Sequence, residues 1–501
     1  MRLFLTCWLI FAAHFATNTV REIFPALTLG DKRSFDVSEY VGFHPDLFEM
    51  PGRGAFINNN PGASIIGAVP YVLMRPIIDA VQRRVLAKRQ SAGAAPPEFD
   101  SPFPLRREFF RKSWQRGYDV KFGLAAAVMQ ALAMAPLSAA SVVLMFHVLR
   151  HRAASIRAAT WLALLYAFAT PVFFRTAQLN QNLLVCHCAF AAFALLWRPW
   201  DDPAVPRPPR YFWAGLLCGW SVVCDYSGVV VVAVLGIYGL VRRASLPTEA
   251  RRPGDALRFL AGLSIAAAVL AGYQWACFGH PLYPAQHYMP PPNHPYKAGM
   301  TLPDPILFWR NAFGYQYGLF TSAPLLLLAF AARPAARGQP ASQAGAGDRA
   351  GASLLPRREW TVCVAFTLLF LLFCCTNQYG YMQFNTGVRH QVPVTPFVFL
   401  IAAGVLLRMP RSAAVVVGVV VAWWMWQLTQ YRDVEPGWGI FTAIGEAVSR
   451  GFEPFWMRTV RQMGPQFPEF VSNWIGKSAL LLALAAAVAC TWRVGRARAP
   501  Q

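Results

Sequence analysis

Residues 123–149 read GLAAAVMQALAMAPLSAASVVLMFHVL and contain no Asp, Glu, Lys or Arg. A bilayer has a hydrocarbon core about 30 Å thick, which an α-helix of about 20 apolar residues crosses. Backbone polar groups find no water in that core, so a segment that crosses it must satisfy them internally as a helix. The basic loop RHRAASIR follows at 150–157, as is typical of the cytoplasmic end of a span. We therefore interpret 123–149 as a transmembrane helix.

The same pattern recurs along the whole chain of 501 residues. Hydrophobic residues make up 55% of the sequence and charged residues 14%, whereas soluble domains carry about 25% charged residues. We predict an all-α polytopic bundle of about twelve transmembrane spans. The expected spans are 3–19, 123–149, 158–174, 181–197, 211–226, 227–242, 257–278, 313–332, 359–376, 391–408, 412–430 and 476–493.

The net charge of +22 could indicate a nucleic-acid-binding protein. The arginines, however, stand at the ends of apolar runs, where they mark the cytoplasmic side of a membrane. We therefore expect no nucleic-acid partner. If the spans alternate, the basic loops share one side, and the weakly charged segments 279–312, 377–390 and 431–475 share the other. This places both termini in the cytoplasm, with 3–19 as an uncleaved first span.

One basic stretch, 83–121, does not follow this rule, because alternation places it on the external side. The apolar stretch before it, 64–80, is interrupted by Pro70, Arg75 and Pro76. We expect 64–80 to form a re-entrant or interfacial pair of half-helices. The alternative is that 83–121 is a simple cytoplasmic basic loop.

A low-complexity segment divides the chain. Residues 333–358 consist mostly of Ala, Gly, Pro, Ser and Arg, and we interpret them as a flexible cytoplasmic linker. The N-terminal module is then 1–332, with an acidic external loop at 18–63 and the re-entrant and basic segment at 64–121. The C-terminal module is 359–501, with an external segment at 431–475.

The first external loop carries six carboxylates, which are Glu22, Asp31, Asp36, Glu39, Asp46 and Glu49. A carboxylate just above the first span can act as a general base or orient an acceptor hydroxyl. Burial at the interface would raise its pKa toward a useful value. The alternative for each carboxylate is a solvated loop charge.

Several motifs resemble the GT-C superfamily of membrane glycosyltransferases, in particular its protein mannosyltransferase and lipid A aminoarabinose transferase branch. The motifs are TNTVREIFPALTLGDKRSFDVSEY (17–40), FINNNPGASIIGAVPY (56–71), TPVFFRTAQLNQN (170–182), YQWACFGHPLYP (273–284) and NTGVRHQVPVTPF (385–397). The branch has an Asp-Glu pair just after its first span, and the matching window here holds Asn18 and Arg21-Glu22. The resemblance thus assigns the catalytic acid to Glu22, with Asp36 and Glu39 as further candidates.

The resemblance implies transfer of a sugar from a polyprenyl-phosphate donor to an acceptor on the external, periplasmic face of a bacterial inner (plasma) membrane. Arginine suits the donor phosphate because its planar fork pairs with two oxygens. The expected phosphate ligands are Arg389, His390 and Arg75, and the alternative for Arg389 is a snorkelling side chain. The expected substrate-loop residues are Asn59, Asn60, Gln383 and Asn385.

The remaining expectations concern cofactors and other functions. The sequence requires no cofactor and shows no metal-ligand pattern, although some GT-C enzymes use a divalent cation. Asp225 stands between two spans, where we interpret it as a helix cap. The alternative functions are a transporter or flippase for a lipid-linked or anionic solute, which would carry ionisable residues within its spans, and a non-catalytic membrane scaffold.

Overall fold

A computed structural model describes residues 1–17, 19–99, 104–201, 208–289, 301–334, 354–377, 387–430, 437–462 and 474–494. The protein is mostly helical, with 72% helix and 2% strand. The first ten α-helices are α1 Arg2–Ala13, α2 Ile23–Lys32, α3 Gly62–Ser91, α4 Pro104–Gln115, α5 Tyr118–Met129, α6 Ala135–Arg150, α7 Ile156–Phe168, α8 Val172–Arg175, α9 Gln181–Trp197 and α10 Tyr211–Cys224. The others are α11 Gly228–Ala244, α12 Asp255–Phe278, α13 Ala285–Tyr288, α14 Pro305–Phe313, α15 Leu319–Ser322, α16 Arg357–Cys374, α17 Thr395–Leu406, α18 Arg411–Gln430, α19 Ile440–Arg450, α20 Phe455–Gln462 and α21 Trp474–Val494.

Among the described residues, four helical segments are long and apolar enough to cross a membrane. They are Gly62–Ser91, Tyr118–Arg150, Thr248–Phe278 and Arg411–Gln430. Five shorter apolar helices are Arg2–Ala13, Ile156–Phe168, Gln181–Trp197, Tyr211–Cys224 and Val392–Leu406. The helical class and the membrane character expected from the sequence are therefore present, and the full count of twelve spans stays a prediction.

The helices pack as a bundle in which small residues allow close contact. In the pair α10–α12, a Cβ atom added to Gly215 would lie 2.0 Å from the backbone oxygen of Phe259. A Cβ added to Gly262 would lie 2.2 Å from the backbone oxygen of Phe212. Only glycine fits at these two positions, as is common where membrane helices pack on small residues.

The first loop contains the only β structure of the described chain, which the all-α prediction did not include. Strand β1, Leu47–Met50, pairs antiparallel with β2, Gly54–Ile57. The turn between them is Pro51-Gly52-Arg53, and Gly52 has a φ of +71°. Pro and Gly favour such turns because one fixes its φ and the other tolerates positive φ.

The expected break of 64–80 into two half-helices is wrong, because α3 is one continuous helix from Gly62 to Ser91. The re-entrant or interfacial placement of this segment stays a prediction. Proline inside a helix removes a hydrogen bond and costs about 3 kcal/mol. Here α3 packs along α2 and α5 with Tyr71 and Ile78 fully buried, and this burial offsets the cost of Pro70 and Pro76.

The expected span at 313–332 is also wrong as a single helix. The chain forms α15 and then a separate 3-10 helix at Pro324–Ala331. Gly314, Gly318 and Pro324 interrupt the segment, and this 3-10 helix packs against α17. Apolar composition alone therefore overestimated helix length at this point.

Candidate functional site

Glu22 stands at the residue before α2, after the chain has left α1. Its side chain is 2% exposed, and the Ser64 hydroxyl donates to its backbone carbonyl over 2.8 Å. Its Oε1 atom lies 3.7 Å from Arg21 Nε and 3.8 Å from Arg389 Nη2. Within the described part of the chain, Oε1 accepts no hydrogen bond. Glu22 is therefore a buried carboxylate held between two guanidinium groups.

Arg389 approaches Glu22 from the chain segment that precedes α17. Its Nε donates to Asn182 Oδ1 over 3.3 Å, and Asn182 lies in the first turn of α9. That helix begins where the Asn180 side chain accepts a bond from Leu183 N over 3.0 Å, a standard N-cap. The cap therefore fixes the end of α9 that orients Arg389.

Arg175 holds the segment that carries Arg389. The Arg175 side chain is buried at 2% exposure. It donates from Nε to the Val388 carbonyl over 2.6 Å and from Nη2 to the Gly387 carbonyl over 2.7 Å. Ser322 Oγ accepts from Val388 N over 3.1 Å. A buried guanidinium thus fixes the two residues directly before Arg389.

Arg21 connects Glu22 to the rest of the first loop. Its Nη1 donates to Asp46 Oδ2 over 3.0 Å and to Asn58 Oδ1 over 3.2 Å. Burial raises the pKa of Asp46, but Arg21 and His44 outweigh it, so the pKa lies below its usual value. Burial lowers the pKa of His44 to about 4, helped by Arg21 and Arg389 and opposed by Asp46. Neutral His44 Nδ1 then accepts from Asp46 N over 3.1 Å.

Asp225 completes the carboxylate set from the turn between α10 and α11. Its Oδ1 accepts from Ser227 N over 2.9 Å and closes the turn before α11. The N-cap of α11 is Ser227, so the expected helix-capping role of Asp225 is wrong. Its Oδ2 accepts from Gln181 Nε2 over 2.6 Å, and its charge also acts on Arg21 and Arg389. Asp225 therefore stabilises the turn between α10 and α11 and contributes negative charge to the site.

The two other first-loop candidates do not join this cluster. Asp36 Oδ1 accepts from the backbone N–H groups of Ser38, over 3.0 Å, and Ala55, over 3.1 Å. Burial raises the pKa of Asp36, but the hydrogen bond from the Ser38 hydroxyl, together with these two backbone bonds, outweighs it and lowers the pKa. Glu39 Oε2 accepts from Lys32 Nζ over 2.7 Å at the protein surface. Both carboxylates thus have structural partners in their own loop.

Of the two other predicted phosphate ligands, His390 lies at the Glu22–Arg389 cluster and Arg75 lies elsewhere. His390 is half-buried beside Arg389, and desolvation together with the charges of Arg389, Arg21 and Arg175 lowers the pKa of His390 well below its usual value. Arg75 Nε lies 2.9 Å from Asp31 Oδ1 and 3.4 Å from Asp79 Oδ2. Arg75 therefore belongs to an ion-pair network that joins α3 to α2.

The predicted substrate-loop residues are only partly described. Asn60 Nδ2 donates to the Val222 carbonyl over 2.7 Å, which ties the start of α3 to α10. Asn59 is buried and its carbonyl accepts from the Tyr273 hydroxyl over 3.1 Å. Gln383 and Asn385 lie outside the described residues.

The cluster sits where several helix ends meet, and its charges determine what it can do. Burial and the neighbouring Arg21 charge lower the pKa of Arg389, while Glu22, Asp225 and Asp46 raise it. Arg21 and Arg389 are half-buried and both lie within 3.8 Å of Glu22 Oε1. Two such cations repel each other, so an anionic ligand between them would relieve that repulsion. Glu22 Oε1 could then accept a proton from a nucleophile beside that anion.

The structure brings together Glu22 and Arg389, for which the sequence predicted different roles, and Asp46 from the acidic loop. The sequence predicted no role for Arg175 and Asn182. Arg175 and Asn182 both lie in the motif TPVFFRTAQLNQN, which breaks an apolar run with polar residues. That interruption was the available signal. Among the described residues, no group of three or more His, Cys, Asp or Glu side chains is arranged to hold a metal ion.

No family model, curated protein or solved structure matches the chain. Fold and site therefore define the class: a mostly helical protein with membrane-length helices and a buried carboxylate–arginine cluster at its helix ends.

Proposed function

We propose that this chain is an integral membrane glycosyltransferase of the GT-C type, which transfers a sugar from a polyprenyl-phosphate donor to an acceptor. The observation that carries the proposal is the 3.8 Å approach of Glu22 Oε1 to Arg389 Nη2. One residue comes from the loop after the first helix and the other precedes a late helix. A transferase needs its base and its phosphate ligand within reach of one donor–acceptor pair.

The proposed roles follow from the chemistry of each group. Arg389 and Arg21 bind the donor phosphate, because guanidinium groups pair with phosphate oxygens. Glu22 accepts the proton of the acceptor hydroxyl while that oxygen attacks the anomeric carbon. The bond from that carbon to the phosphate oxygen breaks, and polyprenyl phosphate leaves with the electron pair. The guanidinium groups stabilise the charge that develops on it.

The proposal also retains the membrane setting expected from the sequence. About twelve spans, cytoplasmic termini and an external active site in a bacterial inner membrane are consistent with the basic loops. The helix ends that form the site come from the loops that alternation places outside. Any requirement for a divalent cation is part of the proposal and is measured by assaying with Mg²⁺ and with a chelator.

A reconstitution experiment tests the proposal against the transporter and scaffold alternatives. The full chain is placed in liposomes with labelled polyprenyl-phosphate pentose or hexose and a hydroxyl acceptor lipid. The proposal predicts release of polyprenyl phosphate and labelling of the acceptor. Movement of intact donor across the bilayer without release would support the transporter instead. Neither reaction with any donor sugar would support the scaffold.

A further inference from the structure

The helix α3 carries an exposed apolar stripe. Leu73 is 74% exposed, Val69 63% and Ile77 56%. Their spacing of four residues places them on one face of the helix, and Val72 and Val81 extend this face. The stripe from Val69 to Val81 is about 18 Å long at 1.5 Å per residue. Such a continuous apolar surface needs a cover.

The stripe does not lie at the depth of the bundle's membrane core. Helices α5 and α6 belong to one segment, Tyr118–Arg150, of 33 residues. Such a helix is about 50 Å long, so it exceeds a hydrocarbon core of about 30 Å by roughly 20 Å. Part of the segment must therefore project beyond the core.

The contacts show which part projects. Helix α1 pairs with the α6 half, and near the end of α1 the Phe11 carbonyl accepts from Gln130 Nε2 over 2.8 Å. Helix α3 pairs with the α5 half, where Arg89 Nη2 lies 2.7 Å from Asp119 Oδ2. Because α1 ends at Ala13, α3 lies beyond the end of α1, on the side where Glu22 and Arg389 meet.

Exposed cationic residues near the apolar stripe indicate what covers it. Beyond Val81 the exposed face continues with Arg84 and Lys88, and α4 adds the exposed Arg107 and Arg111. A helix with an apolar face that continues into cationic residues suits an anionic membrane surface. A second copy of this chain would instead bring cations against cations.

We infer that α3 does not cross the membrane but lies on its surface, on the side of the Glu22–Arg389 site. Its apolar stripe enters the lipid interface, and Arg84 and Lys88 contact anionic headgroups. A π-helical turn at Gln130–Met134 separates α5 from α6. Such a turn is a usual position for a change of direction in a long helix, which would let the α3–α5 pair bend toward the bilayer. This inference does not depend on the proposed catalytic activity.

Spin-label depth measurements on the full chain test this inference. In the described chain Cys490 is the exposed cysteine and the other cysteines are buried, so Cys490→Ser gives the background. Single labels replace Val69, Leu73 and Ile77, which point outward and should not disturb folding. Oxygen and nickel-chelate accessibilities in liposomes then give the depth of each label.

The inference predicts that all three labels lie at similar depths, within about 10 Å of the headgroups. The double variant Arg84→Gln, Lys88→Gln should make the labels shallower in liposomes with anionic lipid and leave them unchanged in zwitterionic lipid. A depth that increases steadily along the helix toward the bilayer centre would show a crossing helix and overturn the inference. Labels exposed to water, or protected only at high protein density, would also overturn it.

Discussion

Two glutamates of the same acidic first loop, Glu22 and Glu39, have opposite environments. Glu22 is 2% exposed and lies 3.8 Å from Arg389, far away in the chain. Glu39 has a side-chain exposure of 27% and pairs with Lys32, seven residues away. A surface ion pair of the second kind contributes about 0–1 kcal/mol. A buried carboxylate between two arginines is costly to desolvate, and such sites are enriched in function. The difference indicates that long-range partners, rather than the acidic composition of the loop, distinguish the site.

Replacing each of the two glutamates in turn tests whether only Glu22 takes part in catalysis. Glu22→Gln keeps the size of the side chain and removes the proposed base, so we expect kcat to fall by about 10²–10⁴-fold. Glu39→Gln is the matched control and should leave kcat unchanged. Rates are measured as polyprenyl phosphate released in liposomes. Equal losses in both variants would mean that the loop acts through its charge and not through a single base.

A second variant tests whether Arg175 holds Arg389 in position. Arg175→Lys keeps a cation but loses the two bonds to the Gly387 and Val388 carbonyls, so Arg389 should move. Small misplacements of catalytic groups can cost up to about 10²-fold, and we expect about a 10-fold loss in kcat/KM. Arg198, which donates to the Pro208 carbonyl over 2.7 Å at the other end of α9, provides the control Arg198→Lys. A similar loss in the control would mean that Arg175 contributes only to general stability.

A third prediction uses the pH dependence of stability. The pKa of His44 is about 4 in the folded protein, below its ordinary value of 6.5. The unfolded chain therefore binds more protons between these values, and stability falls as pH drops from about 6.5 toward 4. Protonation would also break the bond from Asp46 N to His44 Nδ1.

Thermal unfolding at pH 7.5, 6 and 5 measures this effect, and His44→Gln should unfold with a weaker dependence on pH. His390 also has a lowered pKa, so part of the dependence should remain. The lowered pKa values of Asp36 and Asp46 lie below an ordinary value of 3.8 and affect stability only in more acidic solution. An unchanged pH profile in His44→Gln would show that His44 does not contribute to the pH dependence of stability.

The smallest expected effect on turnover concerns Asp36, whose hydrogen-bond partners lie in the first loop. Asp36→Ala removes the acceptor for Ser38 N and Ala55 N, so the free energy of unfolding should fall by about 1–3 kcal/mol. The turnover per folded molecule should not change. Chemical unfolding and the liposome assay measure the two quantities separately. A loss of turnover at unchanged stability would place Asp36 in the catalytic machinery.

The sequence predicted those features that depend on local pattern. The apolar run at 123–149 lies within the helical segment Tyr118–Arg150. Asp225 lies between two helices as expected, but the N-cap of α11 is Ser227. The continuous α3 was not predictable from Pro70 and Pro76, because packing on α2 and α5 overrides the local cost of proline. Arg175 and Asn182 were missed because their partners lie more than 200 residues away in the chain, and no local spacing records such a contact.

A double-mutant cycle in kcat/KM measures whether Glu22 and Arg389 act on the same donor–acceptor pair. The cycle compares Glu22→Gln, Arg389→Lys and the double variant, with Glu22→Gln and Arg75→Lys as the control cycle. Residues that act together in one transition state have strongly non-additive effects. We predict that the Glu22/Arg389 double variant is only slightly worse than the worse single variant, while the control effects multiply. Multiplying effects in the Glu22/Arg389 cycle would contradict a shared site.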